Sequence, residues 1–580
     1  MENQNNDNTV SQSMETLFPR KGTLTWKKLK EYIPIMILTN MSVFILSTVD
    51  GVVAGNLISG NALAAIHIFS PAMVIITVVS GIIDSGSATS MSTCIGKNDL
   101  EAIRRTKVAV RVVIIAAAIF VVIIEYPIIS AVIKSYSLSP EVESMTWDYA
   151  KGIMIALPVG VITSVLTYQL QIIGKMKVIM VFSVLEGILN LLLDIFFVQV
   201  MGLGLAGISF GTACACTVRC VLTVIYMARK TDMFVSEGAK PGWTEIKDIL
   251  RCGSPDGANM AMLAFQYYFI MKIILMAFGD AGGKLKGVCF FAFHIVNIVI
   301  LGVTCSTRPL AGLYSGAKDF KAMRDLMRRS VILMAFLVGA CTIIVELFPG
   351  VFFRLNGVKT FNDDWILSLR LFALYFVFRG IDAILRLYLV NRKDSMTATV
   401  LTIVGNATMP VFAFAFSYFF SAPFLWLGYL AMELLLFLLS TARYLWWLKK
   451  DRADIDPSEK VLYLGVKPEE AIEVSRMIRR FADDNGCSAR IAYRMSLAAE
   501  EMVAYVVKSQ KQDNINIMLM TRFRTDEGIF CMFDDGECIS LNVDKETTGL
   551  ITDNYGLLKK VAKSVEYQYI LNMNYTVIRF

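Results

Sequence analysis

GILNLLLDIFFVQVMGLGLAGISFGT, residues 187–212, reads as two apolar runs joined by a glycine-punctuated turn. Leucine, isoleucine, phenylalanine and valine carry the first run to Val200, MGLG interrupts it, and a second run starts at Leu205. With their flanks the runs cover about 178–200 and 203–228. Each is close to the ~20 apolar residues that an α-helix needs to cross a hydrocarbon core of ~30 Å. Asp194 stands inside the first run with Asn190 one helical turn before it, so the two side chains share a face. An ionisable group at membrane depth is costly and is a functional signal by default.

The same pattern recurs on both sides of this pair. Apolar segments read as membrane helices at about 32–54, 62–88, 108–134 and 150–173 before it, and at 249–278, 285–312, 328–350, 365–390, 396–420 and 422–448 after it. One such segment is compatible with a signal sequence; a dozen are not. Of 580 residues 55% are hydrophobic and 18% charged, where soluble proteins carry about 25% charge. The formal net charge of +7 comes mostly from lysines and arginines in alternate short loops, so no nucleic-acid partner is expected. Eleven cysteines show no ligand spacing, and the histidines are His67 and His294 alone, so no metal centre is expected either.

The loops set the orientation. Lys27, Lys28 and Lys30, then Lys97, Arg104 and Arg105, then Lys175 and Lys177 fall on one side, as do Arg229, Lys230, Lys318, Lys321, Arg392, Lys393, Lys449 and Lys450. The opposite loops 56–61, 200–204 and 421–423 hold no basic residue, and 135–149 is acidic. Basic loops stay cytoplasmic, so the expectation is a multi-pass protein of the cell membrane with both termini in the cytoplasm. An internal repeat accompanies this alternation. GKNDLEAIRRTKV from Gly96 follows the second segment and GAKDFKAMRDLMRRS from Gly316 follows the eighth, so Gly96, Asp99, Ala102 and Arg104 recur as Gly316, Asp319, Ala322 and Arg324. Two six-helix lobes in the same orientation follow, related by an axis along the membrane normal. The expected domains are a cytoplasmic polar tail 1–28, disordered to about residue 22, an N-lobe 29–228, a cytoplasmic linker 229–248, a C-lobe 249–450 and a soluble cytoplasmic domain 451–580.

Asp50 ends the apolar run ILSTVDGVVAGNLISG. With Asn190 and Asp194 it would form a small oxygen-lined cage able to hold Na⁺, or a proton on one carboxylate. The bland alternative is a set of satisfied polar contacts between helices. The corresponding stretch of the second lobe, TIVGNATMPVFAF, keeps an asparagine at Asn406 but has Pro410 where the aspartate would stand.

Three stretches resemble the multidrug and toxic compound extrusion (MATE) family of cation-coupled antiporters: STVDGVVAGNLISGNALAAIHIFSP around Asp50, GKND after the second helix, and NLLLDIFFVQVMGLGLAGISFGT from Asn190 to Thr212. The resemblance implies a cation site at Asp50, Asn190, Asp194 and Thr212, Na⁺ or H⁺ as coupling ion, and alternating access to a central cavity. It implies a small-molecule substrate, amphipathic or cationic, exported as a drug or other xenobiotic. Membrane lipid surrounds such a protein, and no catalytic residue or enzymatic activity is expected of these lobes.

After Asp451 the composition becomes that of a small globular domain. EAIEVSRMIRRFADDNGCSARIAYRMSLAAEEMVAYVVKSQ reads as two amphipathic helices split at Asn-Gly, and INIMLMTRFR, GIFCMFDDGE and VEYQYILNMNYTVIRF read as strands. The expected fold is α+β, helices on one face of an antiparallel sheet. This tail resembles the ATP-binding fold of histidine kinases and anti-sigma-factor kinases. Glu501 fits the first box, although Tyr505 stands where the family places its magnesium-binding asparagine; Asp534 and Gly536 fit the adenine box, and Gly556 the last glycine box. Loss of that asparagine removes a direct Mg²⁺ ligand, and the tail contains no phosphoacceptor histidine. An ATP/Mg²⁺-dependent enzyme, a weak nucleotide sensor and a degenerate module that binds a cytoplasmic protein all stay open. Two functions therefore compete: an antiporter with a regulatory nucleotide- or protein-binding domain, and a membrane-tethered signalling protein with a kinase-like tail and transporter-like receptor lobes.

Overall fold

A computed structural model describes residues 23–580, apart from 137, 233, 236–237, 280–281, 357, 359, 454–458, 510–514, 525–526, 539–557 and 559. Among the described residues ten helices are long and apolar enough to cross a membrane. The first half consists of α1 (Thr23–Leu57), α2 (Gly60–Lys97), α3 (Leu100–Ser135), α4 (Pro140–Ile172), α5 (Met176–Ile195) and α6 (Gly204–Lys230). The second half contains α7 (Trp243–Phe278), α8 (Gly282–Gly316), α9 (Phe320–Leu347), a short α10 (Pro349–Leu355), α11 (Asp363–Ala373), α12 (Phe376–Asn391), α13 (Ser395–Phe419) and α14 (Leu427–Ala453). The 365–390 segment, expected as one helix, is thus broken between α11 and α12. Helical structure also starts earlier than the polar composition suggests: residues 23–28, assigned to a tail, form the first turns of α1. The loop expected at 135–149 gives way to α4 at Pro140, whose fixed φ suits the first helical position. The polar residues before Thr23 lie outside the described residues.

Each long helix hides one face and shows another. On α3, Val113, Ala117 and Val121 are buried, whereas Ile115, Ile119 and Ile123 are more than half exposed. An apolar stripe of this kind is a liability in water and a requirement in lipid.

The two repeated turns are alike in detail. Asn98 and Lys318 both adopt left-handed backbone, at φ 53° and 56°. Asp99 then accepts from the backbone N–H of Ala102 at 3.0 Å, and Asp319 accepts from that of Ala322 at 2.9 Å, so each aspartate caps the helix that follows. The repeated glycines face each other: a Cβ on Gly96 would fall 2.9 Å from the Cα of Gly316, and one on Gly316 would fall 2.8 Å from the Cα of Gly96. Any side chain there would force α2 and α8 apart.

Two compact units divide the chain. One comprises residues 31–316 and 327–446. The other joins the start of α1 up to Lys30, the turn Ala317–Leu326 and everything from Trp447. In this second unit β1 (Lys460–Val466), α15 (Ala471–Asp484), α16 (Ala489–Ser509), β2 (Ile517–Phe523), β3 (Gly528–Asp534), β4 (Ser564–Ile570) and β5 (Met573–Arg579) build a five-stranded sheet of order β1-β2-β3-β5-β4. All its pairings are antiparallel. Leu464, Leu519, Phe530 and Ile578 pack with Ile478 and Met495 of the helices into one core.

Strand β1 escaped the reading of the sequence, and so did the state of the sheet's other face. Met518, Met520, Cys531, Phe533 and Tyr575 alternate with the core residues and are equally buried. On that face the Lys321 ammonium lies 5.4 Å from the centroid of the Tyr463 ring. Lys28 Nζ donates to the carbonyl of Asn572 at 2.7 Å, at the hairpin tip where Leu571 and Asn572 both have positive φ. Lys27 Nζ lies 2.8 Å from Asp535 Oδ2. The sheet is two-sided because the start of α1 and the turn before α9 cover what would otherwise be its wet face.

Candidate functional site

Asp50 lies seven residues before the end of α1, Asp194 one before the end of α5, and Thr212 in the third turn of α6. These positions converge at the end of the first half that is remote from the basic turns. Thr212 Oγ1 donates to Asp50 Oδ2 at 3.2 Å and receives Asn190 Nδ2 at 3.0 Å. Asn190 Nδ2 also reaches Asp194 Oδ1 at 3.5 Å. All four residues expected at the cation site therefore share one hydrogen-bonded cluster, and Asp50, Asn190 and Asp194 are buried.

Two residues that sequence reasoning passed over complete it. Tyr149, in the stretch taken for a loop, donates from its hydroxyl to Asp50 Oδ2 at 3.2 Å, and its ring stands edge-on to Phe69 at 5.4 Å. Gly211 precedes Thr212 on α6; a Cβ there would fall 2.2 Å from Asp194 Oδ1. Glycine is thus what lets the Asp194 carboxylate lie against the backbone of α6. The signal for Gly211 was present in the fragment SFGT, but nothing in the sequence says which carboxylate it faces.

Three oxygens of the cluster, Asp50 Oδ1, Asn190 Oδ1 and Asp194 Oδ2, are buried without a hydrogen-bond donor among the described residues. Leaving buried acceptors unpaired costs on the order of 1–3 kcal/mol each, more when they are ionised. One carboxamide and two carboxylate oxygens are hard donors that suit a small monovalent cation or a shared proton. No group of three or more His, Cys, Asp or Glu side chains that would hold a transition metal occurs among the described residues.

The corresponding place in the second half is differently equipped. Gln266 Nε2 donates to Asn406 Oδ1 at 2.8 Å, and Asn406 Nδ2 donates to the Thr402 carbonyl at 2.6 Å. Asn406 is satisfied.

A cavity of about 520 Å³ opens between the halves. Its walls carry Asp84 and Tyr168 from the first half, and Asp256, Arg308, Arg379 and Glu433 from the second. Asp84, in the fragment GIIDSG of an apolar segment, was missed although its aspartate is as conspicuous as Asp194.

Of the residues expected to bind nucleotide, Asp534 and Gly536 are joined by a hydrogen bond. Asp534 ends β3 and is buried; its Oδ1 accepts from the Gly536 N–H at 3.0 Å and from Asn574 Nδ2 at 2.6 Å, while Oδ2 has no donor among the described residues. Burial pushes its carboxyl up to about 6, although those two hydrogen bonds pull the other way. Glu501 is half-buried on α16 and Tyr505, in the asparagine's place, is buried. Gly556 lies outside the described residues.

A family model described as MatE matches residues 35–196. The multidrug export protein MepA of Staphylococcus aureus is 22% identical over 441 residues, covering 74% of this chain and 95% of MepA. The probable multidrug resistance protein NorM of Thermotoga maritima is also 22% identical and covers 64% of this chain and 82% of its own length. Among solved structures, a MATE crystal structure in complex with MaL6 superposes with a TM-score of 0.68 at 19% identity, over 74% of this chain and 97% of that one. Likeness at that identity establishes the fold. Model, relatives and structures together support a multi-pass membrane protein with the fold of these transporters.

Proposed function

We propose that this chain is a MATE-family transporter, a cation-coupled antiporter that exports small organic molecules by alternating access, with a C-terminal domain that regulates it. The observation that carries the proposal is the set of three unpaired, buried oxygens of Asp50, Asn190 and Asp194 inside one network. In this reading the family's twelve crossings form two lobes, both termini are cytoplasmic, and the cage is the coupling site. Na⁺ or H⁺ entering the cage relieves the unpaired oxygens. Binding energy that differs between two arrangements of the helices is what shifts a conformational equilibrium. The cage draws on three helices, α1, α5 and α6, together with Tyr149 of α4, so filling it changes how they pack. The decisive experiment is substrate flux in proteoliposomes with separately imposed Na⁺ and H⁺ gradients. Flux that follows neither gradient sinks the antiport mechanism, and a gradient-driven flux that is unchanged in Asp194→Asn sinks the site.

The tail supports regulation through its own unit. It binds the first turns of α1, which lead into the first lobe, and the turn before α9, which leads into the second. Covalent continuity makes this a tie between helices that must separate if the cytoplasmic side is to open. Holding them slows the cycle, so the domain acts as a brake. The rival reading, a kinase-like signalling tail on receptor lobes, is not favoured: Tyr505 replaces the magnesium ligand, and Asp534 already holds Gly536 and Asn574. Calorimetry of the full chain with ATP and Mg²⁺ tests it, and stoichiometric Mg²⁺-dependent binding would revive it.

A further inference from the structure

The first half also buries an ion pair that the coupling cage does not use. Arg219 Nη1 donates to Glu186 Oε2 at 2.5 Å and Arg219 Nη2 to Thr167 Oγ1 at 3.2 Å, so α6 is tied to α5 and to α4 at one point. The two side chains are only 12% and 7% exposed. Each residue lies about 15 Å of helix rise from the basic-turn end of its helix. The pair continues the polar face of the cage. On α5, Glu186, Asn190 and Asp194 follow at four-residue spacing and are buried, while Leu185, Ile188 and Leu192 are exposed. On α6, Thr212, Cys216, Arg219 and Thr223 share a face in the same way, and Cys216 Sγ lies 4.0 Å from the Ala156 carbonyl of α4. A file of polar groups thus runs from the cage toward the basic turns, with the ion pair about 6 Å of rise beyond Asn190. One turn further along α5, Ser183 Oγ is buried without a partner among the described residues. Beyond it the buried face turns apolar at Ile179 and Met176, so the pair is the last charged station of the file.

A cation that leaves Asn190 toward the basic turns meets the Glu186 carboxylate, which Arg219 already neutralises. It gains no partner there unless the guanidinium moves, and it stands beside a positive charge with little screening. A fixed guanidinium bars cations from a polar passage in this way. We propose that Arg219 plugs a cation passage inside the first half and that Glu186 is the step it guards. The closed pair keeps the cage from emptying along α5 and α6 while no substrate moves. The proposal rests on the coupling-site reading of the cage and adds to it the direction in which the cage must not leak. A purely structural ion pair behaves differently. Deleting either partner would leave a lone buried charge and harm the fold alike, whereas a plug depends on the sign of the charge that stays.

Ion leak in the absence of substrate tests it. The full-length protein is reconstituted in proteoliposomes, and cation entry is read from radiolabelled Na⁺ and from trapped pyranine, which reports H⁺. Arg219→Gln bares Glu186 and is expected to raise the leak of one of these cations at least about tenfold over wild type. Glu186→Gln keeps the guanidinium and Arg219→Lys keeps the positive charge, so each should leak no more than about twofold above wild type. Adding Asp194→Asn to Arg219→Gln should return the leak to the wild-type level, because the ion then has no cage to start from. If Arg219→Gln does not fold, Arg219→Met, uncharged and unbranched, takes its place. An uncharged variant as tight as wild type to both ions overturns the proposal. So does a tenfold leak in Glu186→Gln or in Arg219→Lys, and so does a leak that survives Asp194→Asn. All of these are read without substrate, so they stand apart from the transport reading, which fails on its own if wild-type export follows neither gradient.

Discussion

Asn190 and Asn406 sit at corresponding places in two halves that share their turns, yet one has a buried oxygen without a donor and the other is fully occupied. The first half follows its asparagine with Asp194 and faces it with Asp50; the second follows with Pro410 and supplies Gln266. A helix repeat therefore preserves the frame, while of the two asparagines Asn190 has an unpaired buried oxygen among the described residues and Asn406 does not. A satisfied buried amide is structural cement, and an unsatisfied one beside two carboxylates is what the proposed cation site rests on.

The difference is breakable. Asp194→Asn removes the charge that a cation would meet, and gradient-driven flux in proteoliposomes should fall about a hundredfold or more, as expected when a buried charge interaction of ~3 kcal/mol is lost. Asn406→Ala should leave coupling within about threefold; a loss as large as that of Asp194→Asn would show that the halves are not so different. The next largest contrast pairs Tyr149→Phe with Gln266→Leu. Tyr149→Phe deletes one donor to Asp50 and should weaken cation dependence by about three- to tenfold, the equivalent of one ordinary hydrogen bond, read as a shift in half-saturating cation concentration. Gln266→Leu orphans Asn406 Oδ1 and should lower thermal stability, by about 1–2 kcal/mol, with the cation dependence unmoved. The smallest effect is expected where the tail packs on the start of α1 and on the turn before α9. Lys27→Gln breaks the ion pair to Asp535, and Lys321→Gln removes the contact with Tyr463. Lys27 is about half exposed, so its pair is worth a fraction of a kcal/mol. Relief of the brake should raise flux by about two- to threefold for Lys27→Gln and less for Lys321→Gln. A fall in flux in either variant would make the tail an activator.

Much of this was legible beforehand because the relevant signals are local. Apolar length gave the membrane segments, and the Asn-x-x-x-Asp spacing put two polar groups on one helix face. Gly96 and Gly316 stood out by their repeated context. What escaped is nonlocal. Tyr149 lies in an acidic, loop-like stretch, and its partner is a hundred residues earlier. The break between α11 and α12 falls in a segment that is apolar throughout. The second face of the sheet was invisible because Met518, Met520 and Phe533 look like any strand residues, and what buries them is the start of α1 and a turn near residue 320.

By itself the sequence determined that this is a membrane protein of repeated halves with a soluble tail, since hydrophobic length, charge alternation and repeat spacing are properties of a segment and need no partner. Tertiary structure alone decided that Tyr149 reaches Asp50, that Gln266 satisfies Asn406, that Arg379 faces the same cavity as Asp84, and that the tail packs on the start of α1. Each of these turns on which donor reaches which acceptor across helices far apart in the chain, and hydrogen bonds and ion pairs are decided over ~3 Å, a distance that no periodicity encodes.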